Sequence, residues 1–156
     1  MKGNPQVIET LNALLADELT AISQYMVHSE MCADWGYDRL HEAIEKRAID
    51  EMRHAEKLIG RILFLEGTPV VSKLNPMHIG AEVPKQHQND WDAEDGAIKA
   101  YNAALRLVVE LGDNGTRALL ESILAEEEDH MDWIETQVEQ IAQMGLATYL
   151  GKQIEE

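Results

Sequence analysis

Apolar side chains recur at three- and four-residue spacing over four long stretches of the chain. The first runs from about Pro5 to Asp34, where Val7, Ile8, Leu11, Leu14, Leu15, Leu19, Ile22 and Met26 mark one helical face. The second runs from about Arg39 to Glu66 through Ile44, Ala48, Ala55, Leu58, Ile62 and Leu65, and Gly67-Thr68-Pro69 ends it. A third spans about Pro84 to Leu111 and a fourth about Thr116 to Met144, with Gly112-Asp113-Asn114-Gly115 as the turn between them. Gly145 detaches a tail, Leu146 to Gln153, long enough for one or two further turns. All four prolines lie outside the helical interiors, where they would break the hydrogen-bond ladder. From Gly67 to about Val83 no period is visible, and the segment is too long for a turn between neighbouring helices. It reads as a crossover along a bundle. No stretch shows the two-residue alternation of a strand. The predicted fold class is all-α: an antiparallel four-helix bundle with a long crossover between helices 2 and 3 and a short C-terminal fifth helix. Residues 1–156 are expected to form one domain.

Charged residues interrupt these apolar faces at repeating positions. Glu18, Tyr25, Glu51 and His54 recur 76 residues later as Glu94, Tyr101, Glu127 and His130, and the turn residue Gly36 recurs as Gly112. Helical periodicity does not require those polar matches, which point to a duplicated helix hairpin. Glu18 has Leu11, Leu14, Leu15, Ala21, Ile22 and Tyr25 one or two turns away, and Glu127 is similarly surrounded by Leu120, Ile123, Leu124, Met131 and Ile134. Glu51 has one polar neighbour, Arg47, while His87 and Asp90 precede Glu94. A lone ionised carboxylate in such a core costs several kcal/mol or protonates. Four of them need a shared partner. Glu51-x-x-His54 and Glu127-x-x-His130 each put a carboxylate and an imidazole on one helical face. Four carboxylates balance two divalent cations, and oxygen with imidazole donors suits iron or manganese.

Charge and composition narrow the setting. With 13 Lys+Arg against 29 Asp+Glu the net charge is −16, which disfavours nucleic acid and anionic membrane surfaces and favours cations. The one cysteine, Cys32, excludes a disulfide scaffold within the chain. Neither a signal-peptide pattern nor an apolar run of roughly 18 residues is present, so a soluble cytoplasmic protein is expected.

The two Glu-x-x-His motifs, with one glutamate from each remaining helix, match the general plan of ferritin-like di-iron carboxylate bundles. Together with Met1-Lys2-Gly3, Asp34-Trp35-Gly36, Ile62-Leu63-Phe64-Leu65-Glu66-Gly67, Gly145-Leu146, Tyr149-Leu150 and Glu51-Met52-Arg53-His54, they make the whole chain resemble the bacterioferritins. The resemblance implies a ferroxidase that stores iron. Glu18, His54, Glu94 and His130 would be terminal ligands, and Glu51 and Glu127 would bridge two iron ions in each subunit. Oxygen or hydrogen peroxide would oxidise the Fe(II). The resemblance further implies a homo-oligomeric, twenty-four-subunit cage. Haem b would be shared between two subunits, with Met52 of each as axial ligand, and a ferredoxin-type reductant would be a compatible partner. Tyr25 and Tyr101 lie two turns beyond Glu18 and Glu94 on the same faces, near enough to hydrogen-bond the site or donate an electron. Tyr25 has a family counterpart near the metals, and Trp133 matches an aromatic of some members. Asp50 matches an inner-surface iron ligand of some members, although its usual histidine companion is replaced by Lys46. His28, His41, His78 and His87 have no partner pattern and are expected as surface or packing residues. Cys32 is expected as packing or an exposed thiol, and Glu126-Glu127-Glu128-Asp129 and Glu155-Glu156 as mainly solvated acidic faces.

Competing readings are weaker. A rubrerythrin-type peroxidase needs a four-cysteine iron site that one cysteine cannot build. A non-enzymatic haem-binding subunit of a mixed cage would be expected to have a broken ligand set, and a purely structural helical dimer leaves the core carboxylates unexplained.

Overall fold

The computed structural model describes residues 1–154, so Glu155 and Glu156 of the expected acidic tail lie outside the described residues. The described residues form five helices and no strand: α1 (Pro5–Asp34), α2 (Asp38–Phe64), α3 (Val83–Glu110), α4 (Asn114–Met144) and α5 (Leu146–Gly151). Asn4 caps α1 by accepting the Gln6 N–H at 2.8 Å, and Pro5 occupies the first turn, where no intrahelical N–H is required. Asp113 caps α4 by accepting the Thr116 N–H at 3.0 Å, so that helix begins at Asn114, earlier than its apolar pattern. Helix α2 stops at Phe64, short of the expected Glu66. There the Met1 ammonium donates to the Phe64 carbonyl at 3.0 Å and Gly3 N–H to the Leu65 carbonyl at 2.9 Å. The two hairpin turns use Gly36 at φ 85° and Gly112 at φ 71°, left-handed conformations that favour glycine.

Helix α1 packs on α2 and α3 on α4, with α1 against α3, α2 against α4, and α5 against α4. The crossover runs along α1 in the same direction as that helix. Val70 N–H donates to Asn12, Asn75 N–H to Thr20, His78 N–H to Gln24 and Gly80 N–H to His28, at 2.8 to 3.1 Å. These bonds satisfy backbone groups that have no regular structure of their own, and they deliver α3 antiparallel to α1. Two apolar clusters fill the bundle. One holds Leu11, Leu15, Leu58, Ile62, Tyr101, Leu120 and Ile123, and the other Tyr25, Cys32, Leu40, Ile44, Val83 and Tyr149. Each fully buried Leu or Ile contributes on the order of 1.5–3 kcal/mol. Between the clusters lies a charged waist.

Candidate metal centre

Glu18 on α1, Glu51 and His54 on α2, Glu94 on α3, and Glu127 and His130 on α4 meet at that waist. His130 is 8% exposed and the other five are at 1% or below. Their donor atoms fall into two groups of mutually close ligands. One consists of Glu18, Glu51, His54 and Glu127, the other of Glu51, Glu94, Glu127 and His130. Glu51 and Glu127 belong to both. His54 Nδ1 lies 2.9 Å from Glu18 and 3.5 Å from each of Glu51 and Glu127. His130 Nδ1 lies 3.0 Å from Glu51, 3.4 Å from Glu94 and 3.2 Å from Glu127. Several buried donors here have no hydrogen-bond partner: Glu51 Oε1, Glu94 Oε2, both Glu127 oxygens and His130 Nδ1. Such groups are rare in native proteins, and a bound ion is one of the few arrangements that satisfies them.

The electrostatics follow from packing four carboxylates together. Burial first, and then the neighbouring glutamates, push Glu18 and Glu127 well above the usual carboxylate range. Burial and the charge of Glu51 raise Glu94. Burial also acts to raise Glu51, but the adjacent His130 and His54 imidazoles, with Glu127, outweigh it and lower Glu51 below the usual carboxylate range. His130 shows the converse. Burial disfavours its charge, yet Glu127, Glu51 and Glu94 outweigh it and raise His130 well above the usual imidazole range. These raised carboxyls and the raised imidazole favour protonation in the metal-free waist, and divalent cations would compete with those protons.

The ferritin-like domain model matches residues 8–144. The chain is 43% identical over 145 residues to a bacterioferritin of Rhodobacter capsulatus, covering 93% of this chain and 90% of that protein. It is 40% identical over 149 residues to a bacterioferritin of Brucella melitensis, covering 96% and 92%. A bacterial ferritin of Synechocystis is 43% identical over 155 residues, covering 99% of both. The chain belongs to the bacterioferritin family.

Tyr25 donates its hydroxyl to Glu94 Oε1 at 2.7 Å, reaching across from α1 to α3 instead of serving Glu18 on its own helix. Its repeat partner Tyr101 is buried with no partner for its hydroxyl. Trp133 lies edge-on to His87 at 5.8 Å. Met52 is 45% exposed, on the side of α2 away from the waist, one turn after the exposed Ile49. Asp50 accepts from His130 Nε2 at 3.0 Å and pairs with Lys46 at 3.4 Å. Cys32 is fully buried, its thiol 3.4 Å from Gln86 Oε1 and pushed up to about 12, chiefly by burial, so it is packing and not an exposed thiol. In the acidic run of α4, Glu127 is the buried member and Glu128 and Asp129 are exposed.

Of the histidines expected as surface or packing residues, His28 and His87 are fully buried, each within a polar network. His28 Nδ1 donates to Asp90 Oδ1 at 2.9 Å while its Nε2 accepts from Gly80 N–H, which defines a neutral tautomer. Gln24 donates to the same Asp90 oxygen at 2.9 Å, and Arg47 pairs with the other at 3.1 Å. Asp90 is held below its usual range because Arg47, His28 and Gln24 outweigh its burial. The Arg47 guanidinium covers the Tyr25 ring at 4.3 Å, fixing the tyrosine that serves Glu94. His87 bonds Tyr149 at 3.0 Å. The sequence marked some members of this network, since His87 and Asp90 precede Glu94 at helical spacing and Arg47 precedes Glu51, but not their pairing.

Proposed function

We propose that this protein stores iron and oxidises Fe(II) at the buried waist. The observation that carries the reading is the sharing of Glu51 and Glu127 between two four-donor groups, each completed by one glutamate and one histidine. Glu18 and His54 would hold one Fe(II) and Glu94 and His130 the other, with Glu51 and Glu127 spanning both. Unpartnered carboxylate oxygens in an oxygen-and-imidazole donor set fit iron as substrate. Two Fe(II) give up two electrons, which with two protons convert oxygen to hydrogen peroxide or hydrogen peroxide to two waters. The protein's share is to hold the pair together, offset its charge and give up protons as the metals enter. Tyr25 steadies Glu94 through its hydroxyl.

The family also implies a closed twenty-four-subunit shell and haem b between paired subunits. The Met52 thioether is soft, uncharged and exposed, and α1 beside α2 carries a groove of about 590 Å³ whose lining includes Met26, Val27 and Trp35, features that suit a porphyrin. Haem held by Met52 of each subunit would supply an electron-carrying centre for reductive iron release, with a ferredoxin-type protein as donor. No helix among the described residues is long and apolar enough to cross a membrane; the cytoplasmic setting is carried by the family resemblance alone.

Stopped-flow oxidation of Fe(II) tests the site. Glu51→Ala and Glu127→Ala should each slow the rapid phase by orders of magnitude while the helical fold persists, because removing one buried carboxylate relieves repulsion among the rest. Parental rates in either variant would overturn the assignment.

A further inference from the structure

His54 and His130 are repeat-related, but the atoms behind their rings differ. His130 presents Nδ1 to three glutamates and turns Nε2 to Asp50 Oδ2 at 3.0 Å. His54 presents Nδ1 to the glutamates likewise, yet its Nε2 has no hydrogen-bond partner and the nearest carboxylate, Glu126, is 3.5 Å away. Asp50 and Glu126 are themselves repeat-related, since 126 − 50 = 76. Each precedes a shared glutamate and faces the histidine of the opposite hairpin. The shorter, 18%-exposed Asp50 makes the bond, and the 44%-exposed Glu126 does not.

We propose that Asp50 is a positioning residue for His130 and not an iron ligand. By accepting from Nε2–H it places the proton on that nitrogen, leaves the Nδ1 lone pair for the metal, and prevents the ring from rotating out of the waist. Lys46, 3.4 Å from the same Oδ2, offsets the carboxylate's charge. The consequence is an unequal pair of sites, of which only the Glu94–His130 half depends on a carboxylate behind its imidazole. This rests on the metal-binding reading of the waist.

Anaerobic Co(II) titration of the full-length protein, followed by visible absorption and calorimetry, tests it. The parent should bind two Co(II). Asp50→Ala should keep one of them and weaken the other by about tenfold to a hundredfold, the usual effect of losing such a partner. Asp50→Asn, whose amide oxygen still accepts from Nε2–H, should recover most of that loss. Unchanged binding of both Co(II) by Asp50→Ala overturns the proposal. So does a third Co(II) in the parent that disappears equally in Asp50→Ala and Asp50→Asn, since that would make Asp50 a ligand. Glu127→Ala serves as the separate control: if it still binds two Co(II) with parental affinity, the reading of the waist fails first.

Discussion

Glu127 and Glu128 are adjacent and chemically identical, yet one lies in the core and the other in solvent because a single residue turns the helix by about 100°. The buried glutamates cannot all ionise in a metal-free waist. Glu18, Glu94 and Glu127 have folded-state pKa values above their unfolded ones, so between the two values the native chain binds more protons than the unfolded chain. These three therefore stabilise the metal-free protein at low pH and lose that contribution as pH rises through their folded values. Entering cations compete with protons at these raised carboxyls and at His130, which is raised likewise. Co(II) binding at pH 7 is expected to release protons, so calorimetric heats in buffers of different ionisation enthalpy should differ in proportion. Buffer-independent heats would count against this protonation pattern. The thermal advantage conferred by Co(II) should correspondingly shrink as the pH falls from 7 to about 5.

Helix α5 is too short to be stable alone and is held by its one buried side chain, Tyr149, which donates to Gln137 on α4 at 2.7 Å and bonds His87 on α3 at 3.0 Å. Burial, and the Arg47 charge after it, lower His87 to about 4 from 6.5. For this group the folded value is the lower one, so the unfolded chain takes up a proton first as pH falls. The associated stability is complete above about pH 6.5 and is lost between there and about pH 4, at no more than ~1.4 kcal/mol per pH unit. Thermal midpoints over that window should fall less steeply in His87→Gln than in the parent. Parallel curves would remove His87 from the acid response. Helix existence was legible in the sequence at this scale, because the apolar period is long and the turns carry Gly and Pro. Helix ends were less so. The start of α4 depended on Asp113 capping, and the end of α2 on the N-terminal strap across Phe64 and Leu65.

At the scale of the whole molecule, the outward faces of α1 and α2 carry exposed Met26, Val27, Ile49 and Met52, which one subunit alone does not cover. Met52→Leu keeps the helix and approximate volume while removing the sulfur. It is expected to abolish six-coordinate haem after reconstitution and to slow reductive iron release, leaving the sedimentation and the initial Fe(II) oxidation rate near parental values. A haem spectrum equal to the parent's would reject Met52 as ligand. The sequence alone determined the four helices, the crossover and the six residues of the waist, because a 3.6-residue period states which face each side chain occupies and the 76-residue repeat marks equivalent positions. Period does not state which of three other helices a face will meet, or at what height. Those were decided by the turns and by the crossover strapped along α1, which bring Tyr25 to Glu94 instead of Glu18, Arg47 and His28 to Asp90, and Asp50 to His130 across 80 residues of chain. Bonds between side chains so far apart in sequence leave no local pattern; they exist only once the axial register of the helices is set.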